Sequence, residues 1–84
     1  MDPNANLEEQ KRIAGSLSES EKYDLYDVNR LVELVLCLCD WVRGGGFLPE
    51  GLSLADLKIR EILAVDIQHN TVRPVRELAE SILA

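Results

Sequence analysis

The chain has 84 residues, 46% of them hydrophobic and 29% charged, and a formal net charge of −6. That is room for one small domain, burying roughly 60–65% of the surface its unfolded chain exposes, and it is too apolar to be disordered throughout. The negative balance argues against a nonspecific nucleic-acid binder, whose affinity comes from counterions released by a concentrated basic surface.

Residues 1–42 carry nine acids and four bases, and residues 43–84 six acids and five bases. The acidity therefore lies mostly in the first half. The N-terminus, MDPNANLEEQKR, has no apolar stretch behind a basic start, so no signal peptide is expected. The longest apolar run, LVLCLC, is far short of the ~20 residues that cross a bilayer. Two cysteines in such a chain imply free thiols in a reducing compartment, and a cytoplasmic location is expected.

Asp2-Pro3 opens the first predicted helix, with Asp as cap and Pro at the first helical position. Glu8 and Glu9 favour its positive end. Leu7, Ile13, Ala14 and Leu17 share one face and Ala5 lies off it. The helix is expected to end near Gly15, or a turn later if Leu17 belongs to it. The polar segment SLSESEKYD then offers two overlapping capping boxes, Ser16 with Glu19 and Ser18 with Glu21. A second helix starts there or a few residues later and runs to about Arg43, where GGG supplies a left-handed C-terminal cap.

From Asp24 to Arg43 this second helix spans about 30 Å. Val28, Val32, Val35, Cys39 and Val42 form one apolar stripe. Leu31, Leu34, Leu38 and Trp41 form another beside it, and Leu25 and Leu36 widen the arc. Only Arg30 (with Asn29), Glu33, Cys37 and Asp40 make a polar strip. A helix apolar round most of its circumference must be buried round most of it. It is either the central helix of a bundle or partly covered by another copy. On the second alternative Val28, Leu31, Val32, Val35, Leu38 and Val42 are the candidate self-association residues, at the centre of a homodimer.

The glycines of DWVRGGGFLP do not cradle phosphate. A Walker-type loop needs Lys and Ser or Thr next, at a helix start, and Phe47-Leu48-Pro49 follow instead. A dinucleotide fingerprint needs a preceding strand. The expectation is a cap and a sharp reversal that folds Phe47 and Leu48 onto the core near Trp41, these three being the turn anchor.

Ser53 with Asp56 caps a third helix whose buried face is expected to be Ala55, Ile59, Ile62, Leu63 and Ile67. QHNT breaks it near Asn70. The lesser alternative makes AVDIQ, within residues 63–69, a short strand. A fourth helix starts at Thr71 or Pro74, with Val75, Leu78, Ala79 and Ile82 inward. The fold class is thus all-α, a bundle of about four helices in a single domain over residues 1–84.

No chemistry is marked out. Cys37 and Cys39, two apart on a helix, point ~200° from one another and cannot chelate one ion. His69 is the only histidine and is expected in a solvated turn, with no nucleophile or orienting acid assigned to it. No catalytic residue, metal set or cofactor loop follows, so no enzyme and no cofactor are expected. The last two helices, residues 53–84, offer a helix-turn-helix alternative because Lys58, Arg60, Arg73 and Arg76 are basic. Glu77 and Glu80 on the same helix, and the overall charge, oppose it.

Residues 1–49 resemble a group of small uncharacterised open reading frames from bacteria and their phages. The resemblance lies in DPNANLEEQ at the start, LVELVL followed by DWV, and the GGFLP turn. Members more often have Leu-Asp-Glu-Trp where this chain has LCDW, and many stop soon after the turn. The resemblance implies a bacterial or phage origin and a compact helical start, and it brings no activity.

The function expected from the sequence is a non-catalytic protein-interaction or regulatory module that self-associates or meets a basic host protein, with no membrane partner. The alternatives are a DNA-binding regulator using residues 53–84 and a small-molecule-sequestering oligomer.

Overall fold

The computed structural model describes residues 1–20, 22–70 and 74–84. They form four α-helices: α1 (Pro3–Glu19), α2 (Leu25–Arg43), α3 (Leu54–Asn70) and α4 (Val75–Leu83). No strand occurs among the described residues, so AVDIQ is helical. Each helix packs on its neighbour in the chain and α4 closes back on α1, making a ring around one core. Among the described residues, no helix is long and apolar enough to cross a membrane.

The starts of α1, α2 and α3 are fixed by side-chain caps. The Asp2 carboxylate accepts from the amides of Asn4 and Ala5, at 3.0 and 3.1 Å, with Pro3 at the first position. Asp24 accepts from the Tyr26 amide at 2.9 Å, and Ser53 Oγ from the Asp56 amide at 3.1 Å. The two boxes expected in SLSESEKYD do not act as starts. Ser16 and Ser18 lie inside α1, and Ser18 Oγ donates back to the Gly15 carbonyl. Glu21 lies outside the described residues. The first helix keeps going because Leu17 has a core place to fill, and the Asp24 cap suffices for α2. No acid lies in the first turn of α1, since Glu8 and Glu9 come later. Pro74 precedes α4 without a side-chain cap, and the other start considered, Thr71, lies outside the described residues.

The core contains every apolar residue assigned to the inner faces of α1 and α4, namely Leu7, Ile13, Ala14 and Leu17, and Val75, Leu78, Ala79 and Ile82. A polar seam runs with it. Asn6 Nδ2 donates to the Leu34 carbonyl at 3.0 Å, and Gln10 Nε2 donates to Asn6 Oδ1 at 2.6 Å. Both side chains are buried. At the surface Arg30 of α2 grips the Glu9 carboxylate of α1 with two bonds, 2.9 and 3.1 Å, and holds that carboxyl below its ordinary range.

The α2–α3 turn divides its work among different residues. Gly44 caps α2 with an ordinary negative φ, and the left-handed residues of the connection are Gly45, at φ 97°, and Gly51, at φ 84°. Gly46 lies against the Trp41 indole, where a Cβ would overlap the ring. Trp41 Nε1 donates to the Phe47 carbonyl at 3.1 Å, and the two rings meet edge to face with centroids 6.0 Å apart. Phe47 does not enter the core as expected; it leans on Trp41 and stays 63% exposed. Leu48 packs against the core half-buried, and Pro49 is fully buried. The neighbouring Glu50 amide donates to Asn4 Oδ1 at 3.0 Å, which ties the turn to α1.

This geometry predicts a graded glycine series. Gly46→Ala displaces the indole and should cost about 1–3 kcal/mol. Gly45→Ala, at positive φ, should cost about 1 kcal/mol. Gly44→Ala should stay within about 0.5 kcal/mol of the parent. Thermal unfolding followed by circular dichroism measures all three, and a Gly46→Ala protein as stable as Gly44→Ala would contradict the packing described.

Candidate interaction surface

Five of the six candidate self-association residues of α2 lie inside the chain. Val28, Leu31, Val32, Val35 and Leu38 are buried, Val35 and Leu38 completely, and Val42 is half-buried. Neighbouring α1 and α3 flank α2 and cover most of its apolar arc within one molecule, though Leu25 at its start stays 64% exposed. An interface centred on these residues would require the bundle to open. Of the turn anchor, Trp41 and Leu48 are half-buried and only Phe47 stands out.

Exposed apolar side chains gather on one side of α3, which includes Ile59 and Ile62, both expected inside. Ile59 is 52% exposed, Ile62 64%, Val65 40% and Leu54 48%. Ala55 is exposed as well and Leu63 half-buried; of the five expected core residues of α3 only Ile67 is buried. The helix buries Leu57, Arg60, Ala64 and Ile67, spaced three, four and three apart. That is a regular helical stripe, interrupted in character by one arginine. Arg60 occupies the stripe because its Nη2 donates to the Ser81 carbonyl at 3.2 Å, in the last turn of α4. Carbonyls there have no partner within the helix, and a cation suits that end of the dipole. Burial lowers the Arg60 pKa from its ordinary value, against a smaller opposing effect of Asp56. Arg60 Nε and Nη1 have no hydrogen-bond partner among the described residues.

With that stripe turned inward, Leu54, Ala55, Ile59, Ile62 and Val65 spread over about 140° of the opposite side, at ~100° per residue. Lys58, Asp66 and His69 are exposed on the same side. His69 belongs to the last turn of α3, not to a loop, and its Nδ1 lies 2.9 Å from the Val65 carbonyl, which makes Nδ1–H the donor. Beside this face, at the junction with α2, an apolar cleft of about 60 Å³ is lined by Cys39, Val42, Arg43, Leu54, Leu57, Lys58 and Glu61. Arg43 pairs with Glu61 across it, which raises the Arg43 pKa. A second, polar hollow of about 220 Å³ lies by Tyr26, Asn29, Arg30 and Glu33, where Arg30 is already held by Glu33 at 2.9 Å and by Glu9.

The two thiols are separated as expected. Cys37 is exposed and Cys39 buried. Burial, with the Glu61 carboxylate nearby, pushes the Cys39 pKa up to about 11. No group of three His, Cys, Asp or Glu side chains able to hold a metal occurs among the described residues. The basic set considered for DNA is depleted. Arg60 is buried, Arg73 lies outside the described residues, and the exposed charges on α3 and α4 are Lys58 and Arg76 against Asp56, Asp66, Glu77 and Glu80.

Compared with known proteins, the chain matches no family model, no curated protein and no solved structure.

The thiol geometry gives a direct check. At pH 8 Cys39, with a pKa of about 11, is almost wholly the unreactive thiol and is shielded as well. Cys37 should label with a maleimide at least tenfold faster than Cys39, and the two rates should converge in denaturant. Equal rates in the native protein would contradict the placement of α2.

Proposed function

We propose that the protein is a small non-catalytic interaction module that binds another protein through the outer face of α3. The observation that carries this is the exposure of Ile59, Ile62 and Val65, flanked by Leu54, on the side of α3 opposite its core stripe. Single exposed apolar residues are ordinary, but a contiguous patch on a small protein is the usual mark of a contact site. The patch lies on a helix rather than a loop, so it is presented rigidly and binding orders little chain. Lys58, Asp66 and His69 around it supply the polar rim that such interfaces carry.

The other functions considered have less behind them. The four acids exposed with Lys58 and Arg76 on α3 and α4 oppose a DNA contact. The apolar cleft of about 60 Å³ is well below the roughly 300–1,000 Å³ of small-molecule sites. A cytoplasmic setting in a bacterium or an infecting phage belongs to this proposal, through the resemblance of residues 1–49.

Site-specific photo-crosslinking in the expressing cell tests the proposal. A photoreactive side chain replacing Ile62 should give a discrete protein adduct, and the same side chain replacing Glu8 on α1 should not. Ile59→Ser with Val65→Ser should abolish the adduct. Ile59 is 52% and Val65 40% exposed, and neither belongs to the core, so each change should cost about 0.5–1 kcal/mol of stability. No adduct at position 62, or an equal one at position 8, would overturn the assignment.

A further inference from the structure

We propose that the occupant of the α3 face is a second copy of this chain, packed α3 against α3 in antiparallel with the two-fold axis at Ile62. The inference rests on the interaction surface assigned above and adds the identity of the partner and the register.

The charges choose the arrangement. In an antiparallel helix pair with Ile62 facing its own copy, residue i meets residue 124 − i. Ile59 then faces the second copy's Val65, Lys58 faces its Asp66, and Ala55 faces its His69. A two-fold axis repeats each contact. The result is an apolar centre of Ile59, Ile62 and Val65 from both chains, with a Lys58–Asp66 pair at each end. All five side chains on which this depends are exposed, and neither Lys58 nor Asp66 forms an ion pair with another described residue.

Other arrangements lose the complementarity. A parallel pair in register sets Lys58 against Lys58 and Asp66 against Asp66, which is repulsive at both ends. Sliding the antiparallel pair so that Ile62 meets Val65 sets Glu61 against Asp66. Sliding it the other way, so that Ile59 meets Ile62, sets Asp66 against Ala55 and Lys58 against Leu63. Of these arrangements, the register centred on Ile62 is the one that joins Ile59 to Val65 and Lys58 to Asp66. The lone Ala55 and the short Val65 also let the helix axes approach closely, toward the lower end of the usual ~8–10 Å.

The test uses the full chain and sedimentation equilibrium from about 1 to 200 µM, the range of weak and transient interfaces. The parent protein should be a reversible dimer that loosens with added salt. Lys58→Asp and Asp66→Lys should each raise the dimer dissociation constant about tenfold, since each turns two attractive contacts into two repulsive ones. The double variant K58D/D66K should return to within about threefold of the parent, and an equimolar mixture of the two single variants should form a heterodimer. Recovery on mixing also shows that both single variants are folded. A parent protein that stays monomeric throughout, single variants that dimerise like the parent, or a double variant that is not restored would each overturn the inference. Should the purified protein stay monomeric while the position-62 probe captures a different protein, the interaction surface stands and the second copy is excluded. Should neither occur, both fail.

Discussion

The structure depends on the need to cover α2. Its two apolar stripes occupy most of a 19-residue helix, and water is excluded from them only because α1 and α3 lie along its two sides. Each fully buried Leu or Val of that arc is worth roughly 1.5–3 kcal/mol relative to exposure, and α4 adds Val75, Leu78 and Ile82 to the same core. The remaining elements follow. The turn after Arg43 must reverse sharply to bring α3 back along α2, which places Gly45 at positive φ and Gly46 under the indole. Short α4 then closes the ring against α1 and shuts the far side of the core.

Coverage alone does not set how α1 lies on α2, because apolar contacts are tolerant of sliding. The Asn6–Gln10 seam supplies the register. Asn6 reaches the Leu34 carbonyl only at one position along α2, and Gln10 supports it one turn on. Gln10 Oε1 finds no partner, so the seam carries a desolvation cost. The Arg30–Glu9 pair fixes the same two helices at the surface, where screening makes it weak. Geometry, more than energy, is what these polar groups contribute.

Much of this fold was legible in the amino-acid order. Asp2-Pro3, Ser53-Asp56 and the glycine stop are local signals, and the inner faces of α1 and α4 each carry one clear stripe. The α2 arc was legible as a surface needing cover, but not what covers it, because that depends on helices distant in sequence. The boxes in SLSESEKYD misled because a cap motif competes with helix continuation, and Leu17 tips the balance toward continuation. On α3 the failure was of another kind. Apolar residues lie all round that helix, so periodicity selects no side, and the choice falls to a residue that hydropathy counts against burial. Arg60 enters the core to meet an α4 carbonyl that lies 21 residues away. The amino-acid order holds no local sign of that bond, so Ile59 and Ile62 are expected inside, whereas both are exposed.

The rotation of α3 bears on why its outer face is apolar at all. The inward stripe contains an arginine with two unpartnered nitrogens, whereas the outward one offers Ile59, Ile62 and Val65. If burial within one chain were the only demand, the isoleucine face would be the better one to turn inward, and the arginine face the better one for water. The bond from Arg60 to the end of α4 offsets part of that difference, as charge-assisted bonds are worth roughly 1.5–3 kcal/mol. It does not account for β-branched residues on the solvent side, where Lys, Glu or Gln would favour a helix and leave no patch. That unfavourable exposure is the physical ground on which the proposed contact through α3 rests.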